Sequence, residues 1–242
     1  PDGNGGCFRA LATSGTLAWF IEKGVRFVFL CNVDNALVKM CDPTFIGALA
    51  SNGIVPCAAK VVHKKNAEEK VGIFAYKNNK PAVLEYSDIS DELRNKTLGN
   101  GSLEFDGGNT GMYAFRMDAL RKISTKELPW HVARKTVNGV ENCWKFEQFL
   151  LDAFPFLGKI LPYGVEREDE FAPVKNTTGN DSPESACKML GTLHRYWLEQ
   201  AKVNVKPGKL YEISPRLTYG GENLSQEVFD RELGRGIFEF DA

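Results

Sequence analysis

Apolar residues along the chain follow two rhythms, and the alternation between them predicts its elements. Residues 7–24, CFRALATSGTLAWFIEKG, carry Leu11, Leu17, Phe20 and Ile21 at helical spacing, which predicts one or two short helices stopped at Gly24. The run VRFVFLCNVDN (25–35) is continuously apolar until Asp34 and predicts a strand covered on both faces, as in a parallel sheet. Residues 42–53 form a helix signal, with Asp42 as N-cap, Pro43 at the first helical position and Gly53 beyond the end. IVPCAAKVVHKK (54–65) is the next strand, so strand, helix and strand make one right-handed crossover unit. Two β-rich runs flank Asn78-Asn79, the mark of a hairpin.

The later stretches continue the pattern. SDISDELRNKT (87–97) predicts a short helix, and FDGGNTGMYAFRMDALRKI (105–123) a glycine-punctuated turn leading into a strand and a helix. NCWKFEQFLLDAFPFLG (142–158) has helical spacing broken by Pro155, and KILPYGVEREDEFAPVKN (159–176) is a strand running into a charged segment. Residues 180–202 give the clearest helix, capped by Asp181 or Ser182 and started by Pro183, with Met189, Leu190, Leu193 and Trp197 along one side. The last forty residues hold only short β-like pieces. The expectation is an α/β fold in two parts: residues 1–205, and a small β element over 206–242. In open α/β sheets ligands sit at the carboxyl ends of strands, which directs attention to the loops after FVFLCNV and before MYAF.

Composition narrows the function. The net charge of -1 gives a polyanion no bulk attraction, so a nucleic-acid partner is not expected. No apolar run approaches the roughly 18 residues of a membrane span, and no membrane association is expected. The six cysteines are scattered without a CxxC pair, as reduced thiols of a cytoplasmic protein would be. The three histidines stand apart and make no metal-ligand spacing, and His194 falls inside a helix where a structural role is expected.

Several residues have chemistry to offer, each beside a plainer reading. Asp34 ends a strand whose apolar run predicts burial, where a carboxylate is well placed for Mg²⁺ or simply caps a turn. Gly3, Gly5 and Gly6 let backbone N–H groups approach a base or phosphate, or make a surface turn. Glu85 and Tyr86 can bond sugar hydroxyls or sit on an edge strand. Asn109, among glycines, can read a hydroxyl or acetamido group or occupy a left-handed turn. Phe154 and Phe156 around Pro155 suit a core or a pocket wall. Lys175 can neutralise charge on phosphates, or belong to a surface cluster with its charged neighbours.

Taken in order, PDGNGG, CNVDNALVKMCDPTFIG, AAKVV, VLEYSD, GGN, REDEFAPVKN and EISP closely resemble the eukaryotic UDP-N-acetylhexosamine pyrophosphorylase family over residues 1 to 225. The resemblance implies a Rossmann-like, glycosyltransferase-A-like mixed sheet. It also implies a nucleotidyltransferase that makes UDP-N-acetylglucosamine and pyrophosphate from UTP and N-acetylglucosamine 1-phosphate with Mg²⁺. It places Gly3 against uracil and Asn4 near the sugar. Gly72, Glu85, Tyr86 and Asn109 match sugar-binding positions, Phe154 and Phe156 the wall around the N-acetyl group, Asp34 the metal-side carboxylate, and Lys175 the phosphate-stabilising lysine. The family's L-x-G-G-x-G-T-R-L triphosphate loop has no match, since none of the Gly-Gly pairs at 5, 107 and 220 precedes G-T-R. The expectation is therefore part of a catalytic domain, inactive by itself, and the alternative is a non-catalytic sugar-nucleotide-binding module. N-acetylglucosamine is not ranked over N-acetylgalactosamine, and oligomeric state is left open.

Overall fold

A computed structural model describes residues 2–86, 88–137 and 139–241. The chain forms two compact units. The first contains the residues up to Cys31 together with Cys41–Gly164, and the second Asn32–Met40 together with the residues from Val165 onward.

In the first unit the opening helical stretch becomes α1 (Gly6–Thr13) and α2 (Thr16–Glu22), parted at Gly15, whose φ of +80° suits glycine. Strand β1 (Phe27–Cys31) follows, then α3 (Pro43–Ser51), whose first turn is held by the Asp42 carboxylate accepting the Thr44 N–H at 2.9 Å. Strand β2 (Cys57–His63) leads to the hairpin of β3 (Ile73–Lys77) and β4 (Lys80–Leu84), turned by Asn78 and Asn79 with φ of 52° and 59°. Helix α4 (Asp91–Arg94), β5 (Gly107–Arg116), α5 (Met117–Ile123), β6 (His131–Val137), β7 (Val140–Glu147), a 3₁₀ helix (Leu150–Phe156) and β8 (Leu161–Gly164) complete it.

The sheet is mixed, as the resemblance implied, with β5 at its centre. Strands β1 and β2 both run antiparallel to β5 on its opposite edges, so β1 and β2 are parallel but separated, and β8 adds in parallel outside β2. Strand β3 meets β5 at Gly108, with β4 beyond it. Strict alternation sends the side chains to two cores. Phe27 and Phe29 of β1 join Ala58, Ala114 and the α3 residues Phe45 and Leu49 on one face. Val28 and Leu30 join Tyr113, Phe115, Leu120 and Phe154 on the other.

Two expectations fail here. Gly107, Gly108 and Gly111 make no turn ahead of a strand but are residues of β5 itself. Residues 142–147 are not helical: Val140, Trp144 and Phe146 also repeat at even spacing, and β7 pairs with β6 as a separate two-stranded ribbon. The Asn138-Gly139 pair is the hairpin signal that favours this outcome; Gly139 has φ of +79°, and Asn138 lies outside the described residues.

A register shift in β5 shapes the sheet. Ala59 faces Tyr113 and Val61 faces Asn109, so Thr110, Gly111 and Met112 together oppose the single residue Lys60. The Lys60 carbonyl accepts the Thr110 hydroxyl at 2.7 Å. Its ammonium, fully buried, contacts the Asp42 carboxylate at 2.7 Å and lies 5.2 Å from the Phe45 ring centre.

The second unit contains α6 (Arg167–Glu170), α7 (Pro183–Gln200), β9 (Lys209–Ile213), α8 (Gln226–Glu232) and β10 (Ile237–Asp241). Ser182 caps α7 in a box with Ser185. Strands β9 and β10 pair antiparallel and bury Tyr211, Ile213 and Ile237 against Leu198 of α7 and Phe229 of α8. Helix α7 approaches closely at Gly191, where an added Cβ would come within 2.6 Å of the Phe240 ring. The β element expected over 206–242 therefore shares its core with α7, and it also carries α8. No helix among the described residues is long and apolar enough to cross a membrane.

Two outcomes follow from these placements. Asp42→Ala leaves the Lys60 ammonium buried without that carboxylate and is expected to cost about 3–5 kcal/mol, measured by urea unfolding. An unchanged midpoint would remove the ion pair from the account of stability. Glu222 is exposed, and its carboxylate accepts the N–H groups of Tyr219 and Gly220 at 2.8 and 2.6 Å and the Thr218 hydroxyl at 3.0 Å. The backbone bonds, that from Tyr219 foremost, hold its pKa down at about 2. The folded value lies below the unfolded one, so this contribution is complete above the ordinary Glu range and is lost as pH falls toward 2. A carbon-detected NMR titration of Glu222 should give a midpoint near 2, and a midpoint near 4 would contradict these bonds.

Candidate active site

At the first unit's candidate site, backbone pairing brings three elements to one place. Ile73 pairs with both Leu84 and Gly108, so Gly72, Glu85 and Asn109, each one residue along, are gathered at the junction of β3, β4 and β5. The Gly72 carbonyl accepts the Asn109 N–H at 2.7 Å. A Cβ on Gly72 would stand 2.9 Å from Val83 and 3.6 Å from a Glu85 carboxylate oxygen, which places that carboxylate beside the Gly72 backbone.

Asn109 is oriented by its own strand. Its Oδ1 accepts the Tyr113 hydroxyl at 2.8 Å and the Gly111 N–H at 3.2 Å. With the oxygen so occupied, the amide NH₂ has no partner among the described residues and offers two donors. Tyr113 is buried, and burial pushes its phenol strongly up, with the Glu85 charge a smaller push in the same direction, so it stays a donor at neutral pH. Tyr86 and Glu85 are exposed, and the loop is held by Arg94 donating to the Tyr86 carbonyl at 3.2 Å. Ser87 of the VLEYSD motif lies outside the described residues. Alternation along β5 puts Asn109 and Tyr113 on one face, a signal present in the sequence that singled out Asn109 alone.

Beside this junction is a cavity of about 300 Å³ between β2, β5 and β8, lined in part by Val61, His63, Phe74, Asp106 and Gly107. His63 Nδ1 lies 2.6 Å from an Asp106 carboxylate oxygen at its edge.

The two phenylalanines do not share one surface. Phe154 is fully buried, stacked on Phe74 at 6.0 Å and edge-on to Tyr113 at 5.3 Å, beneath the Asn109 bond. Phe156 is 37% exposed, with the Lys126 ammonium 6.0 Å from its ring centre.

The glycine loop is shaped by its own chain. The Gly5 N–H donates to Gln148 O and the Gln148 N–H to Asp2 O, both at 2.8 Å. Gly3 has φ of +81°, and a Cβ there would fall 2.3 Å from the Gln148 carbonyl oxygen. Asn4 Oδ1 accepts the Leu150 N–H at 2.8 Å and so caps the 3₁₀ helix that carries Phe154 and Phe156. Packing on residues 147–149 thus accounts for Gly3 and Gly5, while a Cβ on Gly6 would meet the Asp2 carboxylate. Pro1 lies outside the described residues.

Asp34 and Lys175 belong to the second unit. Asp34 is half-buried, and its carbonyl accepts the Val174 N–H at 2.8 Å. Its neighbour Asn35 is 4% exposed and binds the opposite segment twice, donating to Glu170 O at 2.7 Å and accepting from Ala172 N–H at 2.9 Å. This lacing brings Asp34 beside the segment that continues into Lys175, which is exposed and whose N–H bonds Asp181 O at 2.7 Å. Asn35 is the residue the sequence concealed, since a buried amide looks like any loop polar residue. Among the described residues no three His, Cys, Asp or Glu gather as a metal cage. Asp34 thus offers a single carboxylate, a donor set that fits Mg²⁺ carried largely by phosphates and water.

Comparison with known proteins places the chain as a whole. Residues 1–233 match the model of the UTP--glucose-1-phosphate uridylyltransferase family. The chain is 38% identical to the UDP-N-acetylglucosamine pyrophosphorylase of Saccharomyces cerevisiae, over 96% of this chain and 53% of that protein. It is 37% identical to UDP-N-acetylglucosamine diphosphorylase 1 of Arabidopsis thaliana, over 93% of this chain and 47% of that one. The chain thus spans about half the length of the curated relatives it matches. The crystal structure of an Entamoeba histolytica protein named as a UDP-N-acetylglucosamine pyrophosphorylase superposes with a TM-score of 0.87 at 32% identity, covering 94% of this chain and 60% of that one. The family match reaches from the glycine loop to α8, and with these relatives it shows that the chain belongs to the UTP--glucose-1-phosphate uridylyltransferase family.

Proposed function

We propose that the protein serves uridylyl transfer between UTP and N-acetylglucosamine 1-phosphate, yielding UDP-N-acetylglucosamine and pyrophosphate. The observation that carries this reading is the Asn109 amide. Its oxygen is spent on Tyr113 and its NH₂ is left to donate beside the Glu85 carboxylate, a pairing that suits the hydroxyl and acetamido groups of an amino sugar. The yeast and plant relatives named for UDP-N-acetylglucosamine support the choice of sugar. Gly3, Asn4 and Tyr86 complete the proposed substrate-binding set.

In the proposed reaction an oxygen of the sugar phosphate attacks the α-phosphorus of UTP in line. The bond from that phosphorus to the bridging oxygen breaks, and pyrophosphate leaves with the electron pair. Asp34 would hold Mg²⁺, which when bound supplies neutralisation of the phosphate charge. Lys175 adds a positive charge for the same purpose, and the chain's own contribution is orientation and electrostatics. All six cysteines are free thiols, which supports a reducing, cytoplasmic setting.

The test is calorimetric binding of UDP-N-acetylglucosamine with and without Mg²⁺. Saturable binding, tighter than that of UDP-glucose, is expected, and Asn109→Ala should weaken it roughly tenfold, about the cost of losing donors to a sugar. Equal affinity for UDP-glucose would sink the amino-sugar assignment. Asp34→Ala should abolish the enhancement by Mg²⁺ while leaving the metal-free affinity unchanged, and an enhancement that survives would move the metal elsewhere. Phe154→Ala is expected to cost about 3–5 kcal/mol of stability, as a buried aromatic truncation does. Phe156→Ala is the variant that reports on the sugar, through weaker binding at unchanged urea midpoint.

A further inference from the structure

The chain leaves the first unit after Cys31 and re-enters it at Cys41, and the nine residues between them, Asn32–Met40, include Asp34 and Asn35. A cysteine therefore stands at each end of the segment that carries the candidate metal carboxylate. Both are free thiols, Cys41 exposed and Cys31 half-buried.

Packing of α3 on the sheet brings the two ends to one face and one level. Phe27 and Phe29 of β1 face α3, so alternation sends the Cys31 side chain to the same side. Phe29 and Phe45 meet edge-on, their ring centres 6.3 Å apart. Helix α3 joins the parallel strands β1 and β2 and so runs antiparallel to both. Two residues onward from Phe29 along β1, a rise of about 6.6 Å, lead to Cys31. Four residues back from Phe45 along the helix direction, a rise of about 6 Å, lead to Cys41. The helix start is held at that level, because its cap Asp42 contacts the Lys60 ammonium at 2.7 Å and Lys60 lies across β5 from Cys31. Cys41 itself has φ of +53°, a conformation uncommon outside glycine and concentrated at functional positions. Burial pushes the Cys31 thiol up, and the Cys41 thiol adds to that push, as groups within electrostatic reach do.

We propose that Cys31 and Cys41 form a reversible disulfide site that closes a covalent ring around the Asp34 segment. The oxidant is a small-molecule disulfide, such as that of glutathione. The exposed Cys41 thiolate attacks one of its sulfurs and expels a first glutathione thiolate. The Cys31 thiolate then attacks the Cys41 sulfur and expels the second. The two protein thiols lose two electrons and two protons, and one glutathione disulfide becomes two glutathione thiols. The ring restricts the locally open state of the segment, in which Ala36 releases the Ala172 carbonyl and Leu37 the Asn35 amide oxygen. The proposal does not depend on uridylyl transfer, because it is read without substrate.

The full chain is treated with glutathione disulfide, its remaining thiols are alkylated, and its tryptic peptides are mapped. Peptides 27–39 and 40–60 should be joined, with fragmentation placing the bond at Cys41 rather than at Cys57. Cys31→Ser should hold one glutathione at Cys41, and Cys41→Ser should leave Cys31 open to alkylation. Exchange of the Ala36 and Leu37 amides should slow severalfold in the oxidised chain. A native chain in which Cys41 stops at the glutathione adduct, or in which Cys31 is still alkylated, overturns the pairing. Unchanged exchange in the joined form overturns the restriction of the segment. If either variant fails to fold, the peptide map of the native chain decides alone.

Discussion

The first unit depends on a charge that has no access to water. Lys60 stands in the middle of β2 with no exposed side-chain surface, in a layer otherwise built from Phe45, Leu49, Ala58 and Ala114. A lone ammonium there would be prohibitively costly, so the site requires Asp42. Burial would by itself raise the Asp42 pKa, but the Lys60 hydrogen bond and charge outweigh it, and the carboxyl is held below its ordinary range. The same carboxylate caps α3 at Thr44, so one ion pair fixes where the helix begins and how it lies on the sheet. At its backbone Lys60 also accepts the Thr110 hydroxyl, opposite the three residues that β5 crowds into one pairing position. Asn109 and Tyr113 bracket that irregularity and bond each other across it. Helix placement, sheet register and the orientation of the candidate sugar-reading amide therefore meet at one residue.

The second unit rests on a different device. Asn35 is a neutral amide, buried, and its oxygen and nitrogen both bond backbone on the far segment. An amide does this without the desolvation cost of a charge, and it satisfies donors and acceptors that an irregular segment would otherwise leave unpaired. Asp34 precedes it and has its own carbonyl tied to Val174. Asp34 thus has a fixed backbone, while its carboxylate oxygens take no hydrogen bond among the described residues.

Most of the fold was legible from local rules. The cap and proline of α3, the Asn78-Asn79 hairpin and the Ser182-Pro183 start of α7 are determined by a few neighbouring residues, and each appears where those residues put it. What could not be read was non-local. Residues 142–147 satisfy the helical and the strand period together, and pairing with β6 decides between them. The glycines at 107, 108 and 111 resemble a turn until β2 is placed beside them, when Gly108 proves to be close-packed, a Cβ there standing 3.1 Å from the Val62 carbonyl. The site follows the same division. Gly72, Glu85 and Asn109 are far apart in sequence, yet two pairings of Ile73, with Leu84 and with Gly108, unite them. Tyr113 and Asn35, which hold such residues in place, carry no chemical signature of their own.

Small residues near a ligand site are commonly taken as evidence of close ligand approach, and the opening loop shows why that inference needs the rest of the chain. Gly3 and Gly5 are excluded from carrying side chains by the backbone of residues 147–149, whatever ligand lies nearby. Asn4 spends its oxygen on the helix start at Leu150. That helix presents Phe156 to the surface and sends Phe154 into the core under Tyr113. The loop and the aromatic pair are thus one mechanical assembly. A substitution at Gly3 or Asn4 would act first on the 3₁₀ helix and through Phe154 on the Tyr113–Asn109 bond. An effect on sugar affinity from such a variant is therefore no evidence that Gly3 or Asn4 touches the ligand, whereas the Asn109 NH₂, without a partner among the described residues, carries no such structural bond of its own.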